Sequence, residues 1–170
     1  LFLDAHRPEH EDALRAQLAD WLARDHSRIN REWFYREVPP GLIAEPRLHG
    51  PDGDLPPDVK AYVVGGRVRY FQVDRGRLCR HTRMLYAPDW TPLAARTSLP
   101  RHAPDAAPPD LPRLVAMAER LAEPFEFLRV DFYVIGEQVL VGELTSSPGA
   151  GFGRFFPASF SEGLAAQWVR

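Results

Sequence analysis

The residue pattern predicts an α+β fold with mainly antiparallel strands, and three observations carry the prediction. Apolar residues recur at helical spacing near Leu14 to Leu22 and again from Leu111 to Leu121. Two β-rich runs flank Gly65-Gly66, and two more flank Gly136-Glu137. The order of these elements, with hairpins separated by single helices and no internal repeat, is that of an α+β chain.

The first helix is read between Pro8 and Asp25, where Leu14, Leu18, Trp21 and Leu22 form one stripe. Glu9, Glu11 and Asp12 sit in its first turn, where the helix dipole favours acids. A loop with Trp33, Phe34 and Tyr35 runs to Pro39-Pro40-Gly41, and the short run Leu42-Ile43-Ala44 reads as a strand entering a bend at Pro46. After a Gly/Pro/Asp stretch, Val59 to Val64 and Val68 to Val73 form a hairpin, because two glycines tolerate the positive φ of a primed turn. Arg75 to Arg83 reads as irregular, and Pro88 to Pro109 as a surface excursion. Asp110 then precedes the second helix as its cap, with Pro112 early enough that its missing N–H costs little. Strands follow from Phe127 to Ile135 and from Val139 to Leu144, and the chain enters the glycine-rich run Thr145 to Gly153.

With 170 residues, 45% of them hydrophobic, the chain can bury one core and is too short for two ordinary domains. A net charge of −2 provides no basic field, so nucleic acid is not an expected partner. A single cysteine, Cys79, and no apolar run near the roughly 20 residues of a membrane span point to a cytoplasmic protein without a membrane segment. No secretory signal is recognised, and because the chain starts at Leu1 with its first methionine at Met84, it is read as part of a longer product.

Two acids stand out in apolar strands: Asp131 within Val130-Asp131-Phe132, and Glu143 within Val141-Gly142-Glu143-Leu144. A carboxylate mid-strand is disfavoured unless it is paired, solvated or bound to a cation. On neighbouring strands the two would make a hard oxygen site suited to Mg²⁺; alternatively each faces solvent, or Asp131 pairs with Arg129 on its own face. A tight two-residue turn at Gly136-Glu137 would put them on opposite faces, so a shared site requires an odd loop or a bulge. Lys60 is the one lysine beside 20 arginines, either an accident of composition or a place where a compact ammonium is needed. Arg75, Arg77, Arg80, His81 and Arg83 form either a solvated basic loop or an anion clamp, and the Thr145 to Gly153 run either a connector or an anion cradle. There is no convincing Ser/His/Asp or Cys/His set; Cys79 lies near Arg80 and His81 only in sequence.

The order Ile43-Ala44-Glu45-Pro46-Arg47-Leu48, Asp58-Val59-Lys60, Arg129-Val130-Asp131 and Gly142-Glu143-Leu144-Thr145-Ser146-Ser147-Pro148-Gly149 resembles the C-terminal portion of an ATP-grasp domain. Within that superfamily it resembles the TupA-like group of teichuronopeptide and cell-surface polysaccharide biosynthesis proteins. The resemblance implies one ATP-grasp-like domain over 1–170 that lacks its N-terminal part. In it, 1–41 would be the remainder of the small nucleotide-covering subdomain, and 42–170 the large subdomain with hinge and metal site.

It implies ATP and Mg²⁺ as cofactors. Glu45, Pro46 and Leu48 would form the adenine hinge, Lys60 would reach the phosphates, and Arg129 would stand near the transferred phosphoryl group. Asp131 and Glu143 would hold the metal, with Thr145 beside them where members outside this group carry asparagine. The implied activity is a carboxylate–amine ligase working through an acyl phosphate, on a small-molecule or glycan-linked carboxylate and an amine such as an amino acid. The family's upstream lysine and glycine-rich loop are absent from this stretch, so it is expected to be inactive alone. The alternatives are a glycosyltransferase of polysaccharide biosynthesis and a non-catalytic ATP-grasp remnant.

Overall fold

A computed structural model describes residues 11–29, 32–50 and 53–168. Its contacts divide the chain between Arg47 and Leu48 into two compact units. The first unit contains helix α1 (Glu11–Ala23), the single turn α2 (His26–Ile29) and a 3₁₀ turn at Trp33–Glu37. No described residue of α1 is buried, so its support is local: Glu11 and Asp12 lie in the first turn, and Glu11–Arg15 and Asp20–Arg24 pair one turn apart. The Trp33 to Tyr35 stretch, expected as loop, is thus a 3₁₀ turn. Leu42 to Ala44, expected as a strand, has no regular structure and stays exposed, since a strand exists only through a partner that this run does not find.

The second unit is a five-stranded sheet of β1 (Asp58–Val64), β2 (Arg67–Arg75), β3 (Thr82–Tyr86), β4 (Phe127–Ile135) and β5 (Gln138–Thr145). The order is β3-β2-β1-β4-β5 and every neighbouring pair is antiparallel. Gly65 (φ 58°) and Gly66 (φ 72°) form the left-handed turn of the first hairpin. Helix α3 (Leu111–Ala122) starts where Asp110 accepts a hydrogen bond from the Arg113 amide, with Pro112 in its first turn. Its buried residues Leu114, Ala118 and Ala122 pack on Val59, Ala61, Val63, Phe71, Val73, Leu128, Val130 and Phe132, forming the main core on one face of the sheet.

Strand alternation turns Lys60, Tyr62, Tyr70, Gln72, Asp74, Arg83, Arg129 and Asp131 to the opposite face. Part of that face is apolar: Tyr70, Leu85 and Ala95 pack against Phe155, Phe160 and Leu164, the last two from helix α4 (Ala158–Ala165). Neither β3 nor α4 was expected from the sequence. Thr82 to Tyr86 sits at the end of an arginine-rich stretch, and only its pairing with Phe71 to Arg75 makes it a strand. The 88–109 excursion is tied down at several points. Trp90 and Ala95 are buried, and Asp105 accepts from Arg75, Tyr86 and His102.

Candidate functional site

The polar half of that second face is a buried lattice of charge. Asp58, Lys60, Gln72, Asp74 and Asp131 are all buried, an arrangement that persists only when each charge meets a partner. Lys60 Nζ donates to Asp58 Oδ2 at 2.7 Å and to Asp131 Oδ2 on the neighbouring strand. Arg129 Nε donates to Asp131 Oδ1 at 2.6 Å and Arg129 Nη2 to Asp131 Oδ2 at 2.9 Å. The Arg129–Asp131 pairing considered from sequence is therefore present, and Lys60 completes it.

A bulge brings Glu143 into the same group. Asp131 lies opposite Glu143, yet Phe132 lies opposite Val141, so Gly142 is the extra residue. The tight turn at Gly136-Glu137 would otherwise have put the two acids on opposite faces. Glycine lets the Tyr133 ring lie close, because a Cβ there would come within 2.8 Å of that ring and force it to shift. Beyond the bulge Arg129 faces Thr145, whose hydroxyl donates to Glu143 Oε1 at 2.5 Å, while Arg129 Nη2 stands 3.3 Å from the same oxygen. Both carboxylates thus reach one guanidinium nitrogen. Asp131 is buried, whereas the Glu143 side chain is 58% exposed, so the pair opens to solvent on the Glu143 side.

Burial pushes the Asp131 carboxyl up from its ordinary value, against the opposing hydrogen bonds and charges of Arg129 and Lys60. For Arg129, burial disfavours the cation, but the bonds and charge of Asp131 outweigh it and raise its pKa. Burial alone would raise the Asp74 carboxyl, but the hydrogen bonds and charge of Arg83, with the charges of Lys60 and His81, together hold it below its usual value.

The arginines of 75–83 do not converge into one clamp. Arg75 pairs with Asp105 and Arg83 with Asp74, while Arg77 reaches Asp58 at 2.8 Å and the Tyr133 hydroxyl at 3.0 Å. Cys79 is exposed. In the loop after β5, the Ala150 and Phe152 amides bond to the Ser147 and Gly149 carbonyls, which favours the connector reading. Asp58, Asp74, Gln72 and Tyr133 were not singled out as site residues from sequence. The signal for Asp58 and Asp74 was available: each is a charge at the end of an apolar alternation.

A family model described as TupA-like ATPgrasp matches residues 9–169, nearly the whole chain. The chain belongs to the TupA-like ATP-grasp family. No curated protein and no solved structure matches it. Membership carries the ATP-grasp fold and points to a ligase-type enzyme that uses ATP.

Whether this TupA-like chain suits Mg²⁺ and ATP can be judged from its donor set. Among the described residues no three His, Cys, Asp or Glu side chains converge to hold a metal. An all-protein cage is therefore not on offer. Mg²⁺ bound together with a nucleotide needs only one or two carboxylates, because phosphate oxygens and waters complete its shell. Asp131 Oδ1 accepts from Arg129 Nε alone, and Glu143 Oε2 has no partner among the described residues, so each acid keeps a lone pair in reserve. Lys60 and Arg129 beside them are the cations that phosphate oxygens require. The set fits. Glu45 and Pro46 are exposed and Leu48 half-buried, in a stretch with neither helix nor strand, and their hinge role rests on the resemblance alone.

Proposed function

We propose that the chain forms the metal- and phosphate-binding part of an ATP-dependent carboxylate–amine ligase of cell-surface polysaccharide or teichuronopeptide biosynthesis. The observation that carries this reading is the bulge at Gly142, which sets Glu143 opposite Asp131 on a face that also holds Lys60, Arg129 and Thr145. In this reading Asp131 and Glu143 hold Mg²⁺, with Thr145 adjusting Glu143. The ion supplies charge neutralisation for the phosphate oxygens.

Lys60 and Arg129 bind phosphate oxygens, and Arg129 stabilises negative charge on the group in transit. A substrate carboxylate oxygen attacks the terminal phosphorus and ADP leaves. An amine then attacks the acyl carbon, phosphate departs, and the nitrogen loses a proton to give the amide. The protein's share is fixed charge in the right place, and no side-chain nucleophile is needed. Glu45, Pro46 and Leu48 bind the adenine, and the remaining partners are a small-molecule or glycan-linked carboxylate and an amine.

The test is equilibrium binding of ATP to this chain with and without Mg²⁺. Mg²⁺ is expected to tighten ATP binding, and Glu143→Gln to remove most of that gain, about tenfold for the loss of one charged ligand. Affinity indifferent to Mg²⁺ in the wild-type chain would sink the metal assignment. Displacement of ATP by a UDP-sugar at lower concentration would move the assignment to a glycosyltransferase.

A further inference from the structure

We propose that Asp58 is a positioning residue that aims the Lys60 ammonium, an inference that rests on the nucleotide reading above only for what the ammonium is aimed at. Asp58 and Lys60 lie two residues apart on β1, so both side chains project from the same face. The strand is the middle one of five and is paired on both sides, with Asp58 opposite Asp74 on β2 and Tyr133 on β4. The carboxylate is therefore fixed at its base by two ladders.

Its two oxygens are used unequally. Oδ2 accepts from Lys60 Nζ at 2.7 Å and is 2.8 Å from Arg77 Nη1, whereas Oδ1 is buried with no hydrogen-bond partner. A buried carboxylate oxygen left bare is costly, so an acid present only to fill space is disfavoured at this position. What the carboxylate does is concentrated on Oδ2, at the ammonium.

An ammonium carries three donors on a flexible four-carbon stem. One goes to Asp58 and one to Asp131, and among the described residues the third has no partner. Asp131 cannot orient the group by itself, because one acceptor leaves the ammonium free to turn about that bond. Two acceptors from different strands stop the rotation and give the third N–H a single direction. Asp131 divides its charge between Lys60 and Arg129, which holds both of its oxygens, whereas Asp58 gives its charge to Lys60 and Arg77. A phosphate oxygen arriving at the third donor then meets an ammonium already oriented, with no side-chain entropy left to lose.

The composition of the chain makes this directly measurable. Lys60 is the only lysine of the 170-residue chain, so in that chain lysine labelled with ¹³C at Cε gives one methylene signal. In a held side chain the two diastereotopic Hε protons sit in different fixed surroundings and give well-separated resonances; in a mobile one the surroundings average and the two resonances nearly coincide. The wild-type chain is expected to show them well separated, Asp58→Asn is expected to merge them, and Arg77→Ala is expected to leave them apart. Asp58→Asn should also weaken ATP binding about tenfold or more, the effect of removing a charge-assisted hydrogen bond.

Asparagine keeps the shape but offers a single neutral acceptor, about half as strong a partner as a carboxylate and still shared with Arg77, so the ammonium loses its second firm hold while the packing is preserved. If the Hε resonances of this variant stay apart, or if they merge equally in Arg77→Ala, Asp58 only fills and neutralises the interior and the proposal is overturned. If they merge in Asp58→Asn but ATP leaves the wild-type lysine signal unmoved, the positioning role stands and the nucleotide reading is what fails.

Discussion

Asp74 shows how one side chain on the polar face couples the fold to pH. Burial alone would raise its carboxyl, but Arg83 donates to it at 2.6 Å and 3.0 Å, and with the charges of Lys60 and His81 this leaves the pKa below the ordinary 3.8. A depressed folded-state pKa contributes stability that is present above the unfolded value and lost as pH falls through the folded one. Asp74→Asn is thus expected to be less stable than wild type near neutrality, with the gap closing as pH drops below 3.8. Denaturant midpoints measured at several pH values check this, and a gap that stays constant down to acid pH would contradict it. The place of Asp74 at the end of an apolar alternation was legible in the sequence, but its partner Arg83 was not, because it comes from β3, a strand not expected from the sequence.

The bulge and the helix cap work at the scale of elements. Deleting Gly142, the extra residue, leaves a plain two-residue hairpin in which Glu143 still stands opposite Asp131. The expected outcome is a folded chain whose ATP affinity still tightens with Mg²⁺; loss of that response in a folded variant would show that the Asp131–Glu143 pairing does not by itself make the metal site. Helix α3 packs away from the polar face, so its variants should separate stability from binding. Leu114, fully buried, is expected to cost about 3 kcal/mol as Leu114→Ala, and the exposed cap Asp110→Ala about 1 kcal/mol. Chemical denaturation measures both, and ATP affinity should be unchanged in each once the protein is folded. The hairpins and α3 were legible because glycine turns, period-two alternation and a capping acid are local signals. The strand expected at Leu42 to Ala44 did not form for the complementary reason, since local propensity supplied no partner.

At the scale of the whole molecule, every buried residue of both apolar clusters lies between Val59 and Phe132. Residues 48–170 are therefore expected to fold by themselves, with a cooperative thermal transition and a near-ultraviolet spectrum from Trp90 held between Phe71 and Tyr86. A broad, non-cooperative melt of that segment would contradict the division at Arg47.

What the sequence determined by itself was the kind of fold, the ends of β4, the turn of the first hairpin and the start of α3. Each of these is written within a few neighbouring residues, where steric preference and polarity act directly. Only the tertiary structure decided that Gly142 is the bulged residue, that Arg129 serves both acids, and that Asp58 shares Lys60 with Asp131. Those facts depend on register between strands as far apart as residues 60 and 131, and a one-residue slip in a ladder reverses which face a charge occupies.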